Sequence, residues 1–179
     1  YGFGSIEDKV VDNIIRQSVD FGVKAIDLAP IYGFCQAEKT VGRIVRPFRD
    51  KVFLASKSGV SWHSTKRVNM TNDPKTALNM LEKSLSDLET DYIDAYFIHW
   101  PDSKVDIRRT MEVLARKKEQ GLIRYIGLCN TNAEDFLKAS EIDHISILQS
   151  ELNIFNNGFD QELISKAKSQ LPSFWGWGT

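Results

Sequence analysis

The stretch Ala25-Ile26-Asp27-Leu28-Ala29-Pro30-Ile31-Tyr32-Gly33 decides how the rest of the chain reads, because it sets an acid and a phenol just past a short apolar run. Three later runs end in a similar way. Val52 to Ser56 is followed by Lys57, Ala95-Tyr96-Phe97-Ile98 by His99, and Leu122 to Leu128 by Asn130. An acid, a phenol, an ammonium and an imidazole therefore stand at the carboxyl ends of predicted strands. Laid side by side, those strands would bring all four groups to one rim. Strand parity agrees, since alternate residues share a face: Asp27 goes with Ala25 and Val23, Lys57 with Ala55 and Phe53, His99 with Phe97 and Ala95. Small and apolar residues beneath each polar tip suit a packed barrel interior.

Around these runs the chain alternates. Ile6 to Phe21 repeats apolar residues at Val10, Val11, Ile14, Ile15 and Val19, the spacing of a helix with one buried stripe. Val23 to Asp27 is a short strand and Ala37 to Val45 a helix. Strand Val52 to Lys57 and a polar loop from Ser58 to Asn72 follow. Asp73-Pro74 caps and opens a helix that places Leu78, Leu81, Leu85 and Leu88 on one side. Strand Asp91 to His99, helix Ile107 to Gln120 and strand Leu122 to Leu128 come next. Thr131 and Glu134 have the spacing of a capping box before a helix to Ser140. Strand Ile145 to Gln149, helix Gln161 to Lys168 and strand Pro172 to Trp177 complete the reading. Such alternation predicts a parallel sheet with helical crossovers. A doubly wound nucleotide-binding sheet would show G-x-G-x-x-G after its first strand, but Gly2-Phe3-Gly4 meets Glu7 where the last glycine should be. Polar residues at strand after strand end favour the TIM (β/α)8 barrel, which keeps its chemistry there.

The residues Asp27-x-x-x-x-Tyr32-Gly33, Ala55-Ser56-Lys57, Phe97-Ile98-His99-Trp100-Pro101, Gly127-Leu128-Cys129-Asn130 and Leu148-Gln149 together resemble the aldo-keto reductase family, over almost the whole chain. The resemblance implies a barrel with an Asp, Tyr, Lys and His tetrad, here Asp27, Tyr32, Lys57 and His99. It implies NAD(P)H-dependent reduction of an aldehyde or ketone, with NADP(H) the family's habit and NAD(H) the alternative. In that family a Ser-Asn pair and a Gln hold the nicotinamide carboxamide while an aromatic stacks on its ring. Asn130 and Gln149 match, Cys129 stands in place of Ser, and Trp177 falls where Tyr is usual. Trp100 and Trp62 are candidates for the wall of a substrate pocket, or for a plain cover of the barrel mouth.

The chemistry of carbonyl reduction gives each tetrad member a task. A hydride reaches the carbonyl carbon and the oxygen must receive a proton. A phenol with a pKa of about 10 is a reluctant acid at neutral pH, and a neighbouring cation lowers that value by roughly 1–3 units. Tyr32 would be the donor, Lys57 the cation and Asp27 the group that pairs with Lys57 and directs it. His99 would donate to the substrate oxygen or complete the relay. Read singly, each has a structural explanation: a turn acid, a rim aromatic, a solvated lysine, a core histidine.

Composition bounds the other possibilities. The 179 residues suit one domain spanning 1–179. Their net charge of -1, with 26% charged and 42% hydrophobic residues, gives no reason to expect nucleic acid or an anionic membrane. Two cysteines without CxxC spacing fit reduced thiols in the cytoplasm. No apolar run approaches about 18 residues, the length of a membrane span. His63 and His144 lack partners at metal spacing, so no metal site is expected. The strand count leaves the barrel incomplete, since a closed one needs eight strands and about 250 residues. Six strands run from Val23 to Trp177, Gly2 to Gly4 reads as the tail of another, and the last is missing. A fragment of a longer chain is the expectation. Two non-catalytic alternatives remain: a nicotinamide-binding regulatory subunit of the same fold, or an inactive truncated copy.

Overall fold

A computed structural model of the chain describes residues 6–159 and 161–179; the strand tail expected at Gly2 to Gly4 lies outside them. In chain order, helix α1 (Asp8–Asp20) leads into β1 (Ala25–Asp27), and α2 (Gln36–Val45) with a 3-10 segment (Arg46–Lys51) leads into β2 (Phe53–Ser58). A hairpin of β3 (Val60–Trp62) and β4 (Val68–Met70) precedes α3 (Pro74–Asp87). Then come β5 (Ile93–Ile98), α4 (Ile107–Glu119), β6 (Ile123–Cys129), α5 (Ala133–Ser140), β7 (Ile147–Glu151), α6 (Gln161–Ala167) and β8 (Ser173–Trp177).

The six runs expected as strands pair into one sheet in the order β1-β2-β5-β6-β7-β8, every neighbour parallel. Curl is forced on this sheet by its side chains. Asp27 on β1 and Gln149 on β7 lie four strand spacings apart, about 19 Å in a flat sheet. Their side chains nevertheless share a hydrogen bond, Gln149 Nε2 donating to Asp27 Oδ2 at 2.9 Å. The result is an incomplete TIM barrel.

Curling separates two cores, as parity requires. Ala55, Ala95, Phe97, Cys129 and Ile147 fill the inside, with Phe53 and Trp175 packed against them. Leu54, Tyr96, Ile98, Ile126, Leu128 and Leu148 face outward beneath the helices. Close approach matters in both. A Cβ at Gly127 would sit 2.5 Å from the Phe97 ring, and one at Gly42 would sit 2.5 Å from the backbone of Leu88, so α2 reaches the end of α3 only through a residue without a side chain. At the amino end of the sheet, Asp94 is 3% exposed and accepts from Arg49 Nη2 (2.7 Å), Arg124 Nη1 (3.0 Å) and the Leu54 amide (2.9 Å). The Tyr92 ring lies 4.1 and 4.0 Å from the same two guanidinium carbons.

Four local expectations are corrected. The stretch Ser58 to Asn72 is not all loop, because Val60 to Trp62 pairs antiparallel with Val68 to Met70. The first strand begins at Ala25 rather than Val23, since β2, its only partner among the described residues, engages it from Phe53 onward. Helix α5 is capped by Asn132, which accepts from the Asp135 amide at 2.8 Å, and not by Thr131; Glu134 instead takes Lys138 at 2.6 Å. Helix α1 buries no residue fully: Ile15 and Val19 pack on the core, while Val10 and Ile14 stay 45% and 51% exposed because no other described element covers that side.

Candidate active site

Each strand end now contributes one side chain to the rim above the inner core. Lys57 closes the β2 column over Ala55 and is 1% exposed despite its charge. A buried ammonium demands partners, and Lys57 Nζ finds three. It donates to Asp27 Oδ1 at 2.6 Å, to the Leu28 carbonyl at 2.9 Å and to the Tyr32 hydroxyl at 3.5 Å. Asp27 is fixed from its other oxygen by Gln149. The four expected tetrad members are thereby brought together, with the Tyr32 and His99 rings edge to face at 6.2 Å.

The dinucleotide candidates meet on the same rim. Asn130, in a left-handed backbone conformation (φ 54°), donates from Nδ2 to the His99 carbonyl (3.1 Å) and to Cys129 Sγ (3.1 Å). Its Oδ1 accepts from the Trp177 indole N–H at 3.2 Å. Asp27, Tyr32, Lys57, His99, Trp100, Cys129, Asn130, Gln149 and Trp177 line one cavity of about 430 Å³, open solvent included. Trp62 does not line it. That ring borders a neighbouring cavity with Pro30, Ser61, Met80 and Lys83.

Burial sets the electrostatics. His99 is 9% exposed, and burial first, then the Lys57 ammonium, push its pKa down to about 3. The imidazole is thus neutral at neutral pH, able to donate one ring N–H but unavailable as a cationic acid. Burial likewise pushes the Cys129 thiol up to about 12, so it stays a thiol at neutral pH. A pH dependence follows from His99. The unfolded chain takes up this proton near 6.5 and the folded chain near 3, so acid favours unfolding across that window. Above 6.5 the contribution is complete; between the two values it is lost, on the order of 5 kcal/mol in total. Urea unfolding at stepped pH is expected to show a shallower acid slope in His99→Gln than in the parent. Parallel slopes would show that the histidine accepts its proton in place.

Behind the Tyr32 loop, the Cys35 thiol and carboxylate oxygens of Glu38 and Asp87 lie within 4.8 Å of one another. These are donor atoms that a metal could use. Lys83, however, already supplies a cation to Asp87 at 2.8 Å, and burial pushes the Cys35 thiol up. Sequence reasoning missed this knot and the Leu28 carbonyl, because neither residue type nor spacing marks a backbone acceptor or a fold-made cluster.

The matches to known proteins fit this geometry. The aldo/keto reductase family model matches residues 2–171. The chain is 33% identical over 168 residues to the aldo-keto reductase YhdN of Bacillus subtilis (strain 168), covering 93% of this chain and 50% of that protein. Its fold is similar to the glycerol dehydrogenase AKR11B4 from Gluconobacter oxydans, with a TM-score of 0.90 at 28% identity over 98% of this chain and 55% of the other. An aldo-keto reductase from Klebsiella pneumoniae, solved in complex with NADPH, gives a TM-score of 0.80 at 25% identity over 96% and 58%. The chain spans about half the length of the curated relatives it matches. With the family model covering nearly every residue, the chain belongs to the aldo/keto reductase family.

Proposed function

We propose that the protein is a nicotinamide-dependent oxidoreductase that reduces an aldehyde or ketone to an alcohol, with Tyr32 as the proton donor. The observation that carries the reading is the buried Lys57 ammonium, held by Asp27 at 2.6 Å and directed at the Tyr32 hydroxyl. Nothing in a barrel wall requires a charge there, and a phenol beside it can release a proton to a substrate oxygen.

The residues present suit the nicotinamide. Asn130 Oδ1 and Gln149 can meet its carboxamide, and the Trp177 ring, 36% exposed, offers a stacking face. A reduced nicotinamide held there would supply the hydride and be left oxidised. The chain's own part is proton management and orientation. Tyr32 gives its phenolic proton to the carbonyl oxygen as negative charge develops there. Lys57 stabilises the phenolate left behind, Asp27 and Gln149 hold Lys57 in line, and solvent returns the proton. His99, neutral, donates its ring N–H to the substrate oxygen and so fixes which face of the carbonyl is presented. Trp100 forms the apolar side of the substrate pocket.

The test is a fluorescence titration with NADPH and NADH, followed by turnover with an activated aromatic aldehyde, all on the full-length protein. Tryptophan quenching that disappears in Trp177→Leu, together with aldehyde-dependent loss of reduced nicotinamide absorbance, is the expected result. The tighter of the two titrations identifies the cofactor, NADP(H) being the first candidate because the Klebsiella relative was solved with it. Quenching without turnover would instead mark a nicotinamide-binding regulatory subunit, and no quenching at all an inactive copy. The two free thiols, Cys35 and Cys129, suit a reducing compartment such as the cytoplasm.

A further inference from the structure

Tyr32 is held loosely by its own side chain. It is 41% exposed, its hydroxyl meets Lys57 Nζ at 3.5 Å, and its ring touches His99 only edge-on. The backbone must therefore aim it. Directly after it, Gly33, Phe34 and Cys35 have φ of 61°, 52° and 71°, three successive left-handed residues of which only the first is glycine. L-residues avoid this region, and such a turn persists only where its surroundings hold it.

Two anchors hold it. Cys35 is buried against the Glu38 and Asp87 carboxylates. Phe34 leans edge-on against the Trp62 ring, centroids 5.5 Å apart, with Lys66 Nζ 5.2 Å from its own centroid. Trp62 belongs to β3, which follows β2 after a single residue. The strand that carries the Lys57 ammonium thus runs on into the ring that steadies the phenol's turn, so one continuous segment sets both ends of the Lys57–Tyr32 contact. Beyond Trp62 lies the second cavity, about 430 Å³ with its open solvent, into which the ring can swing if Phe34 lets go.

We propose that Trp62 is a positioning residue that acts through Phe34 to keep the Gly33–Cys35 turn left-handed and so places the Tyr32 hydroxyl beside Lys57. It rests on Tyr32 being the proton donor. Steady-state kinetics of the full-length protein at saturating reduced cofactor test it in Trp62→Leu, Phe34→Leu, the double variant and Trp62→Phe. Each single leucine variant is expected to lower kcat roughly tenfold or more, since sub-ångström misplacement is costly in catalysis, with KM and cofactor quenching little changed. The double variant should be no worse than either single, because one contact is lost in all three. Trp62→Phe should recover most of kcat, and the solvent deuterium isotope effect should rise in Trp62→Leu as proton transfer becomes slower than the steps around it. A rise in KM at parental kcat would make Trp62 a substrate-lining residue and overturn the proposal, as would additive losses in the double variant. Phe34→Leu leaves the hairpin intact and decides the matter if Trp62→Leu does not fold. Full turnover in Tyr32→Phe would sink the donor assignment and this proposal with it; loss there beside parental kcat in Trp62→Leu sinks this one alone.

Discussion

Tyr32→Phe is expected to lose about 10²–10⁴-fold in kcat, the range that one positioned proton donor contributes. Phenylalanine keeps the ring and its edge contact to His99, so what disappears is the hydroxyl and the hydrogen it would give. Cofactor quenching should persist, because Asn130, Gln149 and Trp177 are untouched. Lys57→Met is expected to cost at least as much. It removes the ammonium from between Asp27 and Tyr32 and leaves the Leu28 carbonyl without that donor in a site that is 1% exposed at Lys57. Single-turnover measurements separate the chemical step from binding and release, and both variants should slow that step alone. Parental rates in Tyr32→Phe would remove the phenol from the reaction; parental rates in Lys57→Met would reduce the cation to a structural strut.

Asp94→Ala is expected to be the most damaging substitution away from the rim, destabilising by about 3–5 kcal/mol, as when one partner of a buried ion pair is deleted. The carboxylate joins β5 to the Leu54 amide, to Arg49 and to Arg124. The two arginines are not equivalent. Arg124 is 55% exposed and can turn to water, so its loss of a partner costs little. Arg49 is 14% exposed and is held in place by Thr90 and by the Val52 and Tyr92 carbonyls, so its charge stays where the carboxylate was. Urea unfolding of the full-length protein reads the difference. A loss below about 1 kcal/mol would show that the guanidinium is adequately solvated without Asp94. The rim lies at the other end of the same strands, so the folded fraction should keep its cofactor quenching.

The sequence was most informative where a period of two meets a change of polarity. Ala55 below Lys57 and Phe97 below His99 announce a strand, its inward face and its polar tip at once, and the sheet places them accordingly. Asp73 before Pro74 is a cap by chemistry alone, and its side chain does accept from Thr76. Signals fail where conformation is imposed from a distance. Val60 to Trp62 is too short to show alternation, and it pairs because β4 is delivered opposite it. Asn132 displaces Thr131 as cap because the chain leaving β6 passes through Asn130 in a left-handed conformation, which shifts where the helix can begin. Nothing in the letters Phe34-Cys35 marks a left-handed turn, for neither residue favours it; tertiary contacts make it. Asp94 reads as one more strand residue until Arg49 and Arg124, from separate elements, arrive around it.

For a carbonyl reductase of the proposed kind, the seclusion of Lys57 has a chemical meaning. Aldehydes condense with free amines to give imines, so every accessible lysine on such a protein is a target of glycation by its own substrates. Lys57 is 1% exposed and its nitrogen is engaged by Asp27, the Leu28 carbonyl and Tyr32, which hinders the approach of a carbonyl to it. The amine on which the proposed proton donation depends is thereby less open to Schiff-base chemistry than its surface counterparts.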